Sequence, residues 1–278
     1  MRRTSLMAHG VAAVLGLALL AGEAHAASDG ATLATDQVTI RLTRETAMPD
    51  GTVRGALVVD LAPGWKTYWI DPGASGIPPT IDFSRTRGLG GATLRFPAPH
   101  RLGEDFSRAN GYKQPISIAF ELAPKPQAAI GPVEAQILLG VCAEICIPVQ
   151  ANLTGGSDAA VDAPVVAAAF SALPDRSGDI GRIRSAVADG TGDWLTITAE
   201  YAGAAEAPDL FVRGPEGWYF GEPAAPTSQA DDLVFRVEVV DRPPGAEGAP
   251  ETIDVVFTDG PRAFEANDIV VLDNPSQG

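Results

Sequence analysis

Cysteine is scarce in this chain: its 278 residues hold two, Cys142 and Cys146, alongside only three histidines. A structural zinc centre needs four ligands, so a cysteine-built zinc site is excluded. The sequence also lacks a phosphate loop, a serine-nucleophile motif with a spare histidine, and a zincin helix, which removes the commonest nucleotide and hydrolase chemistries. Positive charge is in short supply, with a formal net charge of −15. That balance argues against nucleic acid and anionic membranes, and toward solubility or a basic partner. Beyond the N-terminus no stretch is long and apolar enough to be a membrane helix.

The N-terminus reads as an export signal. Arg2 and Arg3 form its basic region, Val11 to Leu20 its apolar core, and Ala24-His25-Ala26 a small-residue cleavage site. The apolar core is too short to span a membrane. Cleavage near Ala27 removes Arg2, Arg3 and Glu23, so the mature chain carries −16. It keeps a single histidine, His100. An exported, soluble, periplasmic protein works where disulfides persist, so the redox state of its cysteines is set by partners.

The two cysteines lie in Gly140-Val141-Cys142-Ala143-Glu144-Ile145-Cys146-Ile147-Pro148-Val149-Gln150, three residues apart. Alternation over Pro132 to Val141, and again over Ile147 to Leu153, places them at the turn of a β-hairpin. Residues flanking a three-residue loop face each other closely enough for a disulfide. Closing so small a loop contributes only about 2 kcal/mol by chain entropy, which favours a switch over a staple. Two other readings stand beside it: a permanent local brace, and a copper(I) site formed by Cys142, Cys146 and His100.

Short alternating runs fill the first half: Val38 to Leu42, Val53 to Leu61, Lys66 to Ile70, Thr80 to Phe83, Ala92 to Phe96, Ile116 to Leu122 and the cysteine hairpin. Separated by Pro and Gly turns, they predict a β-sandwich. Ser157 to Asp175 is Ala-rich, with Val165, Val166, Ala169, Phe170 and Leu173 at helical spacing. It predicts a linker helix ending at Pro174. From Gly181 to Leu272 a second strand-rich region follows, with no cysteine. The expected division is a signal peptide over 1–26, a β domain over 27–155, a helical linker over 156–180 and a second β-rich domain over 181–278. Gly64-Trp65 in the first half and Gly217-Trp218 in the second suggest the same turn entering an aromatic strand.

Three segments agree in order and spacing with a known family. They are Gly64-Trp65-Lys66-Thr67-Tyr68-Trp69, then Leu102-Gly103-Glu104-Asp105-Phe106 with Gly111-Tyr112 behind it, then Gly140 to Pro148 around the cysteines. Over residues 36 to 155 the chain resembles the periplasmic N-terminal (alpha) domain of the thiol:disulfide interchange protein DsbD. Tyr68-Trp69-Ile70-Asp71-Pro72-Gly73 and Ser75-Gly76-Ile77-Pro78-Pro79 resemble more closely the ScsB branch, whose periplasmic front carries a second β domain. The transmembrane electron carrier and thioredoxin-like domain of the best-known members have no counterpart here, and those members place five residues between the cysteines instead of three.

The resemblance implies an all-β architecture: an immunoglobulin-like β-sandwich followed by a smaller sandwich-like domain. It implies a thiol-disulfide oxidoreductase of the protein-disulfide reductase type, with no cofactor. Electrons would come from a membrane-embedded thiol reductase and go to periplasmic thioredoxin-fold or other disulfide-containing proteins. By position, Cys146 resembles the attacking thiol and Cys142 the resolving one. Phe106 resembles the tip of a cap loop over the pair, with Glu104 and Asp105 as acidic neighbours, and Tyr68 matches a tyrosine close to the cysteines. Carboxylates at Glu144, Glu104 and Asp105 would raise a thiol pKa by like-charge repulsion with the thiolate. One of them could also take the thiol proton once a partner has docked. A non-catalytic adaptor with a structural bridge, and a copper-binding protein, are the alternatives.

Overall fold

Every predicted strand of the first half forms. The computed structural model describes residues 27–28, 30–73, 75–104, 108–155, 159–229 and 232–273. The export signal, Asp105 and Phe106 lie outside them. Val38–Arg44, Val53–Leu61, Ile116–Pro124 and Leu89–Arg95 run side by side in one antiparallel sheet, extended at its edge by Thr32–Ala34 and Ala27–Ser28. A second sheet orders Cys146–Gly155, Val133–Cys142, Lys66–Tyr68, Ala109–Tyr112 and His100–Leu102, with Thr80–Asp82 also paired to Val133–Cys142. Alternate residues of both sheets, among them Ile40, Leu57, Ile118, Phe120, Leu139 and Leu153, meet in one apolar core. This is the immunoglobulin-like sandwich, and period-two alternation builds it because each strand has one face toward that core.

The predicted helix is Ala159–Ser171, three residues short of Pro174. It is not a free tether. Val166 and Ala169 are buried against Ala56 and Ala119 on the outer face of the first sheet, and Arg54 stacks over Phe170 at 4.8 Å. Small alanines on that face let the helix approach closely.

The second half is also β. Pro208–Arg213, Thr252–Asp259, Arg262–Asp273, Gly181–Ala188, Trp194–Tyr201, Asp232–Asp241 and Tyr219–Phe220 pair in that order. The long Arg262–Asp273 strand pairs antiparallel with Thr252–Asp259, and through residues 271–273 parallel with Gly181–Ala188. That strand carries the sheet around on itself. Phe257 consequently touches Phe235 edge-on at 6.1 Å, as well as Tyr201 and Phe264 at 4.8 Å, inside a separate core.

The paired Gly-Trp dipeptides are the same turn. Trp65 N–H donates to Ala62 O at 3.0 Å and Trp218 N–H to Pro215 O at 3.1 Å, with Gly64 and Gly217 both at φ 85°. A positive φ at the third turn position is the conformation glycine allows without a Cβ clash. Lys66–Tyr68 and Tyr219–Phe220 follow the two turns.

The halves pack against each other beside the cysteine-bearing sheet. Phe211 and Val256 are buried in the first core, and Phe211 meets Trp69 edge-on at 6.1 Å. Arg101 makes a two-pronged ion pair with Asp209 at 2.9 and 3.0 Å, lies 4.0 Å over the Phe211 ring, and donates to Asn110 Oδ1 at 2.8 Å. Arg95 with Glu265 and Arg108 with Glu222 add two more bridges across the boundary.

Candidate functional site

Val133–Cys142 and Cys146–Gly155 stay in register over their full length, from Val133 opposite Gly155 to Cys142 opposite Cys146. The three-residue loop is closed by Ala143 N–H donating to Ile145 O at 3.1 Å. The cysteines are thus a directly opposed cross-strand pair with Cα atoms 4.1 Å apart, joined by a disulfide.

The two sulfurs have different surroundings. Cys142 is 1% exposed, in a small buried cluster with Tyr68 and Ala109, whereas Cys146 is exposed. Ile145 at the hairpin tip is 68% exposed. The asymmetry follows from the sheet order. Val133–Cys142 is an interior strand whose end pairs Cys142 with Lys66, while Cys146–Gly155 is an edge strand. A nucleophile from solvent therefore has access to the Cys146 side of the bridge.

Tyr68 ties the buried sulfur in place. Its hydroxyl donates to Cys142 Sγ at 3.0 Å and lies 3.3 Å from Cys146 Sγ. Burial pushes the phenol pKa up, so the hydroxyl keeps its proton and stays a donor. Next to it, Thr67 Oγ1 donates to Gly140 O at 2.9 Å. Gly140 leaves room for the Ile77 loop: a Cβ there would come within 2.6 Å of Ile77 Cβ and 3.1 Å of the Tyr68 ring. Gly140, Thr67 and Ile77 are contacts that sequence reading missed. The only advance signal was an uninterrupted apolar run ahead of Cys142, marking a strand end covered on both faces.

Beyond Tyr68 runs a buried carboxylate. Asp71 Oδ1 accepts from Gly73 N–H at 2.9 Å, and Asn110 Nδ2 donates to Asp71 O at 3.1 Å. Burial raises the Asp71 pKa, against a smaller lowering by the Gly73 N–H and by the charges of Arg213 and Arg101.

Of the other residues singled out, Glu104 stands exposed just after the His100–Leu102 strand. The cap-loop residues Asp105 and Phe106 lie outside the described residues. His100 does not join the cysteines: two strands, Lys66–Tyr68 and Ala109–Tyr112, separate its strand from that of Cys142. Three strand spacings amount to about 14 Å, far beyond a shared ligand shell. Among the described residues no group of three or more His, Cys, Asp and Glu side chains is arranged to hold a metal.

Residues 33–157 match the family model described as thiol:disulfide interchange protein DsbD, N-terminal, and residues 172–272 match a domain of unknown function, DUF8393. No curated protein matches the chain. Among solved structures it is similar to the N-terminal periplasmic domain of ScsB from Proteus mirabilis, with a TM-score of 0.68 and 24% identity over 87% of this chain and 98% of that one. That likeness bears on the fold. No helix among the described residues is long and apolar enough to cross a membrane. Residues 33–157, with their opposed cysteines on a sandwich hairpin, form a DsbD N-terminal-like domain.

Proposed function

We propose that Cys142 and Cys146 are a redox couple through which this protein, working in the periplasm, exchanges disulfides between a membrane-embedded thiol reductase and thioredoxin-fold or other disulfide-containing proteins. The observation that carries this reading is the asymmetry of the bridge, with one exposed cysteine and one buried cysteine held by a tyrosine hydroxyl. A brace needs no such difference.

In the oxidised form a donor thiolate attacks Cys146 Sγ, the S–S bond breaks, and Cys142 leaves as a thiolate beside the Tyr68 hydroxyl. A second donor thiolate then attacks the donor sulfur of the mixed disulfide, so the donor leaves oxidised and Cys146 leaves reduced. Two electrons have entered the pair. In the forward half-reaction Cys146 thiolate attacks an acceptor disulfide and expels one acceptor thiolate. Cys142 thiolate then attacks Cys146 Sγ, reforming the bridge and releasing the second acceptor thiolate. Tyr68 lowers the cost of charge on the buried sulfur when Cys142 is expelled and when it returns to attack Cys146. In this scheme Phe106 caps the pair between encounters, and Glu104 and Asp105 supply the carboxylates that keep the thiols protonated until a partner arrives. The redox module is residues 27–155, the helix-bearing segment 156–180 joins it to the second domain, and 181–278 is that domain.

Paired single-cysteine variants test the assignment. With Cys142→Ser, the remaining Cys146 should form a mixed disulfide with oxidised glutathione readily. With Cys146→Ser, the buried Cys142 should react at least tenfold more slowly. Equal rates would contradict the division of roles.

A further inference from the structure

The acidity of the protein is not spread evenly. Residues 27–155 carry eleven Lys and Arg against twelve Asp and Glu, a net charge of −1, while residues 156–278 carry seven against twenty-two, a net charge of −15. The half without cysteines holds nearly all the negative charge, and the second domain, 181–278, carries six Lys and Arg against eighteen Asp and Glu.

Where the two halves meet, an open cleft of about 700 Å³ is walled by Pro72 and Pro78 on one side and by Trp218, Tyr219 and Val240 on the other. Tyr219 and Val240, on the paired strands Tyr219–Phe220 and Asp232–Asp241, are 44% and 56% exposed and give the cleft an apolar floor. Glu216 and Asp241 stand on the same rim, exposed. Neither makes an ion pair among the described residues, and the cleft's own arginine, Arg213, is bridged to Asp254. One residue, Tyr68, links the cleft wall to the redox pair. Gly76, on that wall, is packed so tightly to Tyr68 that a Cβ there would lie 2.7 Å from the ring whose hydroxyl holds Cys142.

We propose that this cleft docks a basic, apolar-centred segment of the redox partner, so that the second domain selects which proteins reach the disulfide. The inference rests on the exchange reading above. Carboxylates without an ion-pair partner, Asp241 accepting only the Arg242 N–H at 2.8 Å, surround an exposed apolar floor and complement lysine or arginine flanking a leucine-like side chain. The surplus negative charge of the second domain would steer such a partner to the site and raise its encounter rate, a gain that salt removes.

The test uses two synthetic thiol peptides as probes, Lys-Leu-Cys-Leu-Lys and Glu-Leu-Cys-Leu-Glu, with 2-mercaptoethanol as the uncharged control. The rate at which each opens the Cys142–Cys146 bridge is measured in the full chain, in the Glu216→Gln/Asp241→Asn double variant and in Val240→Ser. Taking the ratio of wild type to variant for each peptide cancels its intrinsic thiol reactivity. At low salt the double variant should slow the cationic peptide about tenfold and leave the anionic one unslowed, and the difference should vanish near about 0.5 M salt. Val240→Ser should slow the cationic peptide and leave 2-mercaptoethanol unchanged. If 2-mercaptoethanol opens the bridge but both peptides respond alike to the double variant, or Val240→Ser changes nothing, the docking proposal is overturned while the exchange reading stands. If 2-mercaptoethanol cannot open the bridge, both fall.

Discussion

Replacing Tyr68 by Phe removes one oxygen and keeps the buried ring, so it isolates the hydrogen bond to the buried sulfur. That hydroxyl lies 3.0 Å from Cys142 Sγ, and burial keeps it protonated. A hydrogen bond to a charged acceptor contributes about 1.5–3 kcal/mol. When a thiolate attacks Cys146, roughly half of the leaving charge has reached Cys142 at the transition state, so the loss is about 0.7–1.5 kcal/mol, or about 3- to 12-fold in rate. In the proposed scheme the neighbouring carboxylates keep the reduced pair protonated, so the buried sulfur is uncharged before and after the reaction, as a disulfide or a thiol. The equilibrium potential should therefore move far less than the rate, by under about 15 mV. The assay is acid-quenched thiol trapping after mixing with dithiothreitol, giving the second-order rate constant for both proteins, alongside redox-buffer equilibration for the potential. An unchanged rate, or a potential shift that accounts for the whole rate change, would refute this role for Tyr68.

Two further outcomes follow from the packing and charge around the site. Gly140→Ala forces a methyl to within 2.6 Å of Ile77 Cβ, and overpacking of this kind should cost about 1–3 kcal/mol, read as a lowered urea midpoint. Asp71 has a folded pKa raised by burial, so the stability linked to it is fully present below its unfolded value of about 3.9 and is lost as pH rises through the folded value. Asp71→Asn should therefore be more stable than wild type at pH 7, with the advantage disappearing below about pH 4. A gain independent of pH would show that the burial of the charge is not its source.

The cysteine hairpin was legible because Pro132 to Val141 and Ile147 to Leu153 alternate, and alternation on both sides of a three-residue gap leaves one register. The sheet that surrounds it was less so. Ala109–Tyr112 is buried at all four positions, so its strand shows no alternation, and His100–Leu102 is too short for a period to register. Contacts such as Tyr68 to Cys142 and Arg101 to Asp209 span 74 and 108 residues, distances over which local pattern carries no information. The helix was visible, but its docking on Ala56 and Ala119 depends on two alanines that read as ordinary strand residues. The charge imbalance between the halves could have been counted from the sequence. Its meaning came only with the cleft that sets Glu216 and Asp241 around exposed Tyr219 and Val240.

The central claim is that the Cys142–Cys146 bridge is opened and closed in use. Its reduction potential, measured by equilibrating the purified mature protein against glutathione and dithiothreitol buffers with thiol trapping, tests that claim most directly. A redox couple should lie between about −120 and −270 mV, the range of proteins that exchange disulfides. A value below about −300 mV would mark a structural bridge and contradict the account.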